Sequence, residues 1–378
     1  MAIALPGPRR DIRSTLARLH WPLIAMLSMI GAAGVLTLYS AAQGSWTPWA
    51  LQHLARFGMS LGLLIVVALI GMRFWQALAY PIYAVALVAL ILVPIFGVER
   101  LGAQRWIDVG HFQFQPSELM KIGLVLALAR YYHGLRVEQV SHLLYLIPPA
   151  IMIGAPVGLI FMQPDLGTAM MLAMTGVAIV FLAGLSWRIG FLGLLGGVGA
   201  AYAAYYFDIL HQYQVERILT FLDPDRDPLG KGYHILQSKI GLGSGGLAGK
   251  GYMEGTQSEL KFLPEMQTDF IFTIFGEEFG FIGAIFLLAL YYMVIMTGVG
   301  IALRAKTHFA RLVAMGVLVT FALYVLINCG MVMGLAPVVG VPLPLVSYGG
   351  TVMITIMVGF GLVMSAHLSR EGEGGIGI

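Results

Sequence analysis

The sequence predicts an all-α integral membrane protein of ten transmembrane helices, with both termini cytoplasmic and one large extracytoplasmic loop between the seventh and eighth helices. Ten charge-poor apolar windows account for nearly all of the 378 residues. Lys and Arg recur in every second seam between them. One seam, Asp208 to Asp269, is far longer and more polar than the rest. A chain that is 58% hydrophobic and 11% charged, with a mean hydropathy of +0.84, carries more apolar surface than a soluble core can hide. Lipid must be its solvent.

A hydrocarbon core about 30 Å thick needs roughly 20 apolar residues at helical rise. The windows that qualify run over 21–40, 52–71, 75–97, 115–132, 143–162, 166–184, 189–207, 271–301, 311–335 and 350–368. Backbone groups in lipid must be satisfied within the segment, and no alternating ten-residue pattern of an outer-membrane barrel is present, so these are helices. The short seams fix orientation. Arg9, Arg10, Arg13 and Arg18 precede the first span; Arg73, then Arg130 with Arg136, Arg188, then Arg304, Lys306 and Arg311, and finally Arg370 mark alternate seams as cytoplasmic. The intervening seams 41–50 and 336–349 have no Lys or Arg. The first span is longer than the apolar core of a signal peptide and reads as retained. Residues 1–370 form a single polytopic domain, and the tail 371–378, acidic then Gly-rich, is expected to be disordered.

Cys329 is the sole cysteine and lies inside span nine, which excludes an intramolecular disulfide and a Cys-based metal site; the outward loop is expected to be held by packing alone. The net charge of +3 is the cytoplasmic arginine set and gives no argument for nucleic acid.

An ionisable residue within a span costs at least a few kcal/mol, so each needs a partner or a purpose. The segment from Gly102 to Lys121 holds Arg105, Gln115, Pro116, Glu118 and Lys121. Pro116 suits a first helical turn, after which Glu118 and Lys121 lie three residues apart on one face. Two readings stand: a structural ion pair pinning the helix start, or a pair lining a cavity for an anionic headgroup with Arg105 beside it. Gln163-Pro164-Asp165-Leu166-Gly167-Thr168 is a sharp outward turn in which Asp165 is explained as a helix N-cap. The long loop holds Lys231 and the run Gly241 to Gly251 with Lys250; such glycine density either lets amides approach an anion or makes a flexible hairpin. It is not a P-loop, because Gly251 follows Lys250 where Ser or Thr is needed. Asp269, where the chain re-enters the membrane, is either the N-cap of span eight or a functional carboxylate, and Glu277 and Glu278 are interfacial or cavity-facing. Pro337 to Gly350 is Pro/Gly-interrupted apolar sequence at membrane depth, tolerated only where it packs in protein or lines a wet cavity.

Gln115-Pro-Ser-Glu118 with Lys121, the Gln163 to Thr168 turn, Leu263-Pro264-Glu265 with Thr268-Asp269-Phe-Ile-Phe, and Pro342-Leu-Pro-Leu-Val-Ser347-Tyr-Gly-Gly350 resemble the SEDS family of shape, elongation, division and sporulation proteins. The similarity covers essentially all ten spans, and Gly255-Thr-Gln-Ser with Val338 to Leu345 points to the elongation branch. The resemblance implies a peptidoglycan glycosyltransferase of the bacterial cytoplasmic (inner) membrane, active on the extracytoplasmic side. Its substrate would be lipid II, the undecaprenyl-pyrophosphate-linked disaccharide pentapeptide, and its partner a class B penicillin-binding protein. It implies Asp269 as the essential acid, with Glu118 and Lys121 functionally sensitive. This chain has Gln267 where relatives commonly have His, and Met266 where they often have Arg, so Gln267 is given no catalytic role.

Asp269 is accordingly expected as general base, raised in pKa by burial. Arg105, Lys121, Lys231 and Lys250 are the candidate cations for the pyrophosphate, with Gln115, Glu265 and Ser347 as further substrate contacts. A divalent cation (Mg or Mn) could bridge the pyrophosphate to Glu118 or Asp269. The rival readings are a lipid II flippase, which the intramembrane charges fit equally well, and a scaffold that recruits the transpeptidase.

Overall fold

The computed structural model describes residues 12–100, 103–109, 112–207, 212–223, 226–227, 230–260 and 265–370. Arg9, Arg10, Leu263, Pro264 and the tail 371–378 lie outside the described residues, as does the side chain of Lys231.

Helices occupy every window that the hydropathy marks. α1 (Ile12–Ala17) leads into α2 (Trp21–Ala41), α3 (Ala50–Leu69) and α4 (Met72–Phe96). After a small sheet come α5 (Pro116–His133), the one-turn α6 (Val137–Val140), α7 (Leu143–Met162), α8 (Leu166–Leu182) and α9 (Trp187–Tyr206). The outward loop holds α10 (Gln212–Leu222), α11 (Lys231–Ser244) and α12 (Thr256–Glu259). α13 (Ile271–Leu303), α14 (His308–Val332) and α15 (Gly350–Arg370) complete the bundle. Seven helices among the described residues are long and apolar enough to cross a membrane: α2, α3, α4, α7, α13, α14 and α15. Of the others, α8 is shorter and α5 holds Glu118, Lys121 and Arg130.

Many large side chains that face outward are apolar, among them Ile95, Met162, Val177, Phe281, Ile282 and Leu326. An aqueous protein would bury such a belt; here lipid covers it. Inward faces use small residues for close approach, as at Gly316 of α14, where an added methyl would meet Val125 of α5 and Ile179 of α8.

Two features depart from the expected all-α chain. Between α4 and α5, β1 (Val98–Arg100), β2 (Ala103–Val109) and β3 (Phe112–Phe114) form an antiparallel three-stranded meander, with Val98 opposite Trp106 and Ile107 opposite Phe114. β1 and β3 have three residues each, and the seven of β2, AQRWIDV, do not alternate regularly, which left too little to read in advance. α13, predicted as one continuous span, has non-helical backbone at Gly280 (φ 66°, ψ −166°). Its 33 residues would extend about 50 Å unbroken, against a core of about 30 Å. The stretch after Gly280 gives about 35 Å, which suits one crossing.

The broken turn frees backbone groups, and the Gly-rich run of the loop takes them up. Lys250 N donates to Glu277 O (3.0 Å) and Gly251 N to Glu278 O (3.2 Å), while Phe281 N donates to Gly246 O (2.9 Å) and Ile282 N to Leu247 O (3.1 Å). The chains approach so closely that a Cβ on Gly249 (φ 84°) would sit 2.0 Å from Glu278 O, and one on Gly280 would sit 2.2 Å from Gly249 N. The loop is therefore held by polar contacts as well as by packing, a correction to the expectation of packing alone.

Candidate active site

The irregular seam from Pro337 to Gly350 is the frame on which the site is built. Its stretch from Leu343 to Ser347 is buried in the bundle, and buried side chains of surrounding helices satisfy carbonyls of the seam. Asn328 Nδ2 of α14 donates to Val341 O (2.7 Å), Tyr291 OH of α13 to Pro344 O (2.5 Å), and His53 Nε2 of α3 to Leu345 O (3.0 Å).

The same seam fixes the segment before α13. Ser347 Oγ donates to Thr268 O (2.5 Å) and accepts from Leu343 N (2.7 Å), and Tyr348 N donates to Gln267 O (2.8 Å). Asn328 Nδ2 makes its second bond to Asp269 O (2.9 Å). Glu265 adopts a left-handed backbone (φ 54°) and accepts at its carbonyl from Thr268 N and Asp269 N, while its carboxylate accepts from Thr268 Oγ1 (3.0 Å). The turn thus ends with Asp269 against the seam, its Oδ2 3.5 Å from where a Cβ on Gly340 would lie. Asp269 does not cap α13; Phe270 precedes that helix and no side chain caps it.

Asp269 is half-buried. Burial raises its carboxyl pKa to about 7, the negative charge of Glu265 adds to the shift, and the Arg217 guanidinium on α10 opposes it. Arg217 was missed in the sequence because the loop holds many charges and nothing there marks one of them as facing Asp269.

Glu118 and Lys121 are both buried and make a closed triad with Tyr324 of α14. Lys121 Nζ lies 2.6 Å from Glu118 Oε1 and also donates to Tyr324 OH, which donates in turn to both Glu118 oxygens (3.0 Å each). Tyr324 and Asn328 stand one turn apart on α14, so the triad lies about 6 Å below the backbone of Asp269 along that helix. Lys121 also borders a small apolar cavity with Phe321, Tyr324 and Phe360. Gln115, the buried residue before α5, makes no side-chain capping bond.

Arg105 lies on β2. It pairs with Asp165 (3.8 Å) and donates to the carbonyls of Gln163 and Pro164, tying the sheet to the outward turn. Asp165 caps α8 through Thr168 N (3.2 Å), as its spacing predicted. Lys250 binds Glu277 (2.7 Å) and Thr256 Oγ1 (2.9 Å). Glu277 is fully buried and accepts also from Thr256 N and Gln257 N, and Glu278 accepts from Ser40 of α2. Glu277 and Glu278 are both buried among protein groups. Near Lys250, its own amide and that of Gly251 go to α13 carbonyls and that of Gly249 goes to Gly245 O, which leaves those groups engaged within the protein. Among the described residues no group of three or more His, Cys, Asp or Glu side chains could hold a metal ion.

Residues 14–372 match the family model of FtsW, RodA and SpoVE, described as cell cycle proteins. The peptidoglycan glycosyltransferase MrdB of Escherichia coli (strain K12) is 45% identical over 329 residues, which cover 85% of this chain and 86% of MrdB. Among solved structures, the rod shape determining protein RodA of Thermus thermophilus is 30% identical, with a TM-score of 0.68 over 94% of this chain and 98% of that one. A chain from a peptidoglycan synthase complex, solved for its structural coordination of polymerization and crosslinking, is 34% identical, with a TM-score of 0.80 over 93% of this chain and 98% of that one. Motifs, fold and sequence agree, and the chain belongs to the FtsW/RodA/SpoVE family.

Proposed function

We propose that this protein is a peptidoglycan glycosyltransferase that polymerises lipid II in the bacterial inner membrane, with Asp269 as general base on the extracytoplasmic face. The relatives support the reaction class, since MrdB is named for it. The observation that carries the residue is the Asp269 carboxyl, poised at about 7 and locked by its backbone to a packed seam. A base with a pKa near the working pH combines a useful deprotonated fraction with proton affinity.

In the step proposed, the GlcNAc 4-hydroxyl of the acceptor attacks the anomeric carbon of the growing chain. The new C–O bond forms as the bond to undecaprenyl pyrophosphate breaks, the hydroxyl proton passes to Asp269, and the lipid pyrophosphate departs. Glu265 and Arg217 tune the acid from either side. The Glu118–Lys121–Tyr324 triad holds α5 to α14 beneath it. Ser347 acts through the backbone it fixes. Arg105 and Lys250 anchor the outer segments through Asp165 and Glu277, Gln115 is buried before α5, and Lys231 begins α11. Ten crossings with cytoplasmic termini put Asp269, the meander and α10 to α12 on one outer face. A class B penicillin-binding protein is the crosslinking partner proposed, in keeping with the synthase complex whose chain this one resembles.

Purified protein supplied with lipid II should yield glycan strands resolved on a gel. Asp269→Asn should yield none while eluting as a monodisperse particle with unchanged melting temperature. Full product from that variant removes Asp269 from the chemistry. No product from the wild type, alone or with its cognate transpeptidase, removes the enzyme reading, and a vesicle translocation assay then separates flippase from scaffold.

A further inference from the structure

A leaving pyrophosphate needs a cation, and three candidates from the sequence are already committed to carboxylates: Arg105 to Asp165, Lys121 to Glu118 and Lys250 to Glu277. Lys239 is exposed on α11, beside Gly334, and among the described residues nothing ties it to the Asp269 segment. Arg56 differs from all of these. It lies on α3 six residues in from Ala50, about 9 Å along the helix from its outer end. It is half-buried, and among the described residues it has no carboxylate partner.

Arg56 is nevertheless held in place. Its guanidinium carbon stands 4.7 Å from the centre of the Tyr348 ring, one Nη donates to Gln52 Oε1 (3.3 Å), and Tyr348 OH donates to the same Gln52 oxygen. Stacking uses the face of the guanidinium and leaves most of its in-plane N–H fork for an acceptor. The platform is bound to the catalytic turn, because Tyr348 N donates to Gln267 O and Ser347 Oγ to Thr268 O. Asp269 follows two residues after Gln267, at most about 7 Å of chain. An arginine at this depth costs free energy unless it meets an anion or water. In the proposed reaction the pyrophosphate is attached to the carbon that the acceptor attacks, so its cation belongs within a sugar-phosphate's reach of the base.

We propose that Arg56, stacked on Tyr348 and steered by Gln52, binds the pyrophosphate of the lipid-linked substrate and of the departing undecaprenyl pyrophosphate. The proposal rests on the glycosyltransferase reading and adds to it a substrate contact that the sequence motifs do not contain. A bilayer phospholipid offers the same phosphate chemistry, so the test must separate the two sources.

Protein in nanodiscs of phosphatidylcholine, and of phosphatidylcholine with phosphatidylglycerol, is titrated with undecaprenyl pyrophosphate. Arg56→Gln should weaken binding by about tenfold or more, and Arg56→Lys, which keeps charge and loses the fork, by less. Both losses should be equal in the two lipid backgrounds, and the apparent KM for lipid II should rise in parallel. Unchanged affinity in Arg56→Gln, absence of binding by the wild type, or a loss seen only with phosphatidylglycerol overturns the proposal, the last by showing that Arg56 serves bulk headgroups. Should Arg56→Gln fail to assemble, Arg56→Lys decides alone, and wild-type affinity in that variant counts against the fork. A wild type that forms glycan beside an Arg56→Gln that binds normally sinks Arg56 only; a wild type that forms no glycan sinks the reaction, and the titration still decides the anion site.

Discussion

At the scale of single residues, the proposed general base Asp269 stands under opposing influences. Burial and Glu265 raise its pKa, and Arg217 lowers it, to a balance near 7. A general base works deprotonated, so kcat/KM should climb about tenfold per pH unit below 7 and level off above it. Removing the negative charge in Glu265→Gln takes away a force that disfavours the Asp269 carboxylate, so the acid limb should move to lower pH. Removing the positive charge in Arg217→Gln should move it to higher pH. A pH series of polymerisation rates on the three proteins checks both directions; coincident limbs would show that the titrating group is not Asp269. Glu118 and Lys121 stood out in the sequence because a charge in apolar surroundings announces itself, whereas Asp269 read alone was either a helix cap or a functional carboxylate and was singled out by the family resemblance. Tyr324 and Asn328 were not, because a neutral polar residue within a span has many ordinary explanations until its partner is seen. Arg56 carried a readable signal, a guanidinium within the second span, and only its stacking partner was hidden.

At the scale of elements, the break in α13 and the Gly-rich run are one device. Gly280 breaks the helix in a conformation that an L side chain rarely adopts, and Gly249 lets the loop backbone reach the two carbonyls so released. Gly249→Ala combines a positive φ with a methyl placed against Glu278 O, so it should destabilise the loop by more than about 1 kcal/mol. The loop should then open locally, and limited proteolysis should cut within 241–260 much faster than in the wild type. Equal cleavage rates would mean that the run holds nothing. Gly246 is a matched control: it has positive φ (54°), but an added methyl meets nothing within 4 Å, so its substitution should have the smaller effect. Hydropathy did not reveal the break, because the apolar run resumes directly after Glu277, Glu278 and Gly280 and so reads as one window. The glycines of the loop were visible, but their partner was not, and hence they suggested an anion cradle or a flexible hairpin.

At the scale of the whole molecule, one irregular segment of the chain is bonded to three helices and to the turn that holds Asp269. α3 reaches it through His53, α13 through Tyr291 and α14 through Asn328. Its rigidity belongs to the bundle, since irregular backbone in a membrane protein is stable only while buried donors satisfy it. A remote anchor should therefore affect both folding and catalysis. Tyr291 is fully buried, its hydroxyl is 2.5 Å from Pro344 O, and its ring packs on Phe321 of α14. Tyr291→Phe keeps the ring and strands the carbonyl, at a cost of about 1–3 kcal/mol. The variant should melt earlier than the wild type in the same detergent and polymerise more slowly without a shift of its acid limb, because the groups that set the Asp269 pKa are untouched. Asp269→Asn should show the opposite pattern, no turnover at an unchanged melting temperature. If Tyr291→Phe instead matches the wild type in both melting and rate, the seam is held by packing, and its carbonyl bonds do not set the geometry of the site.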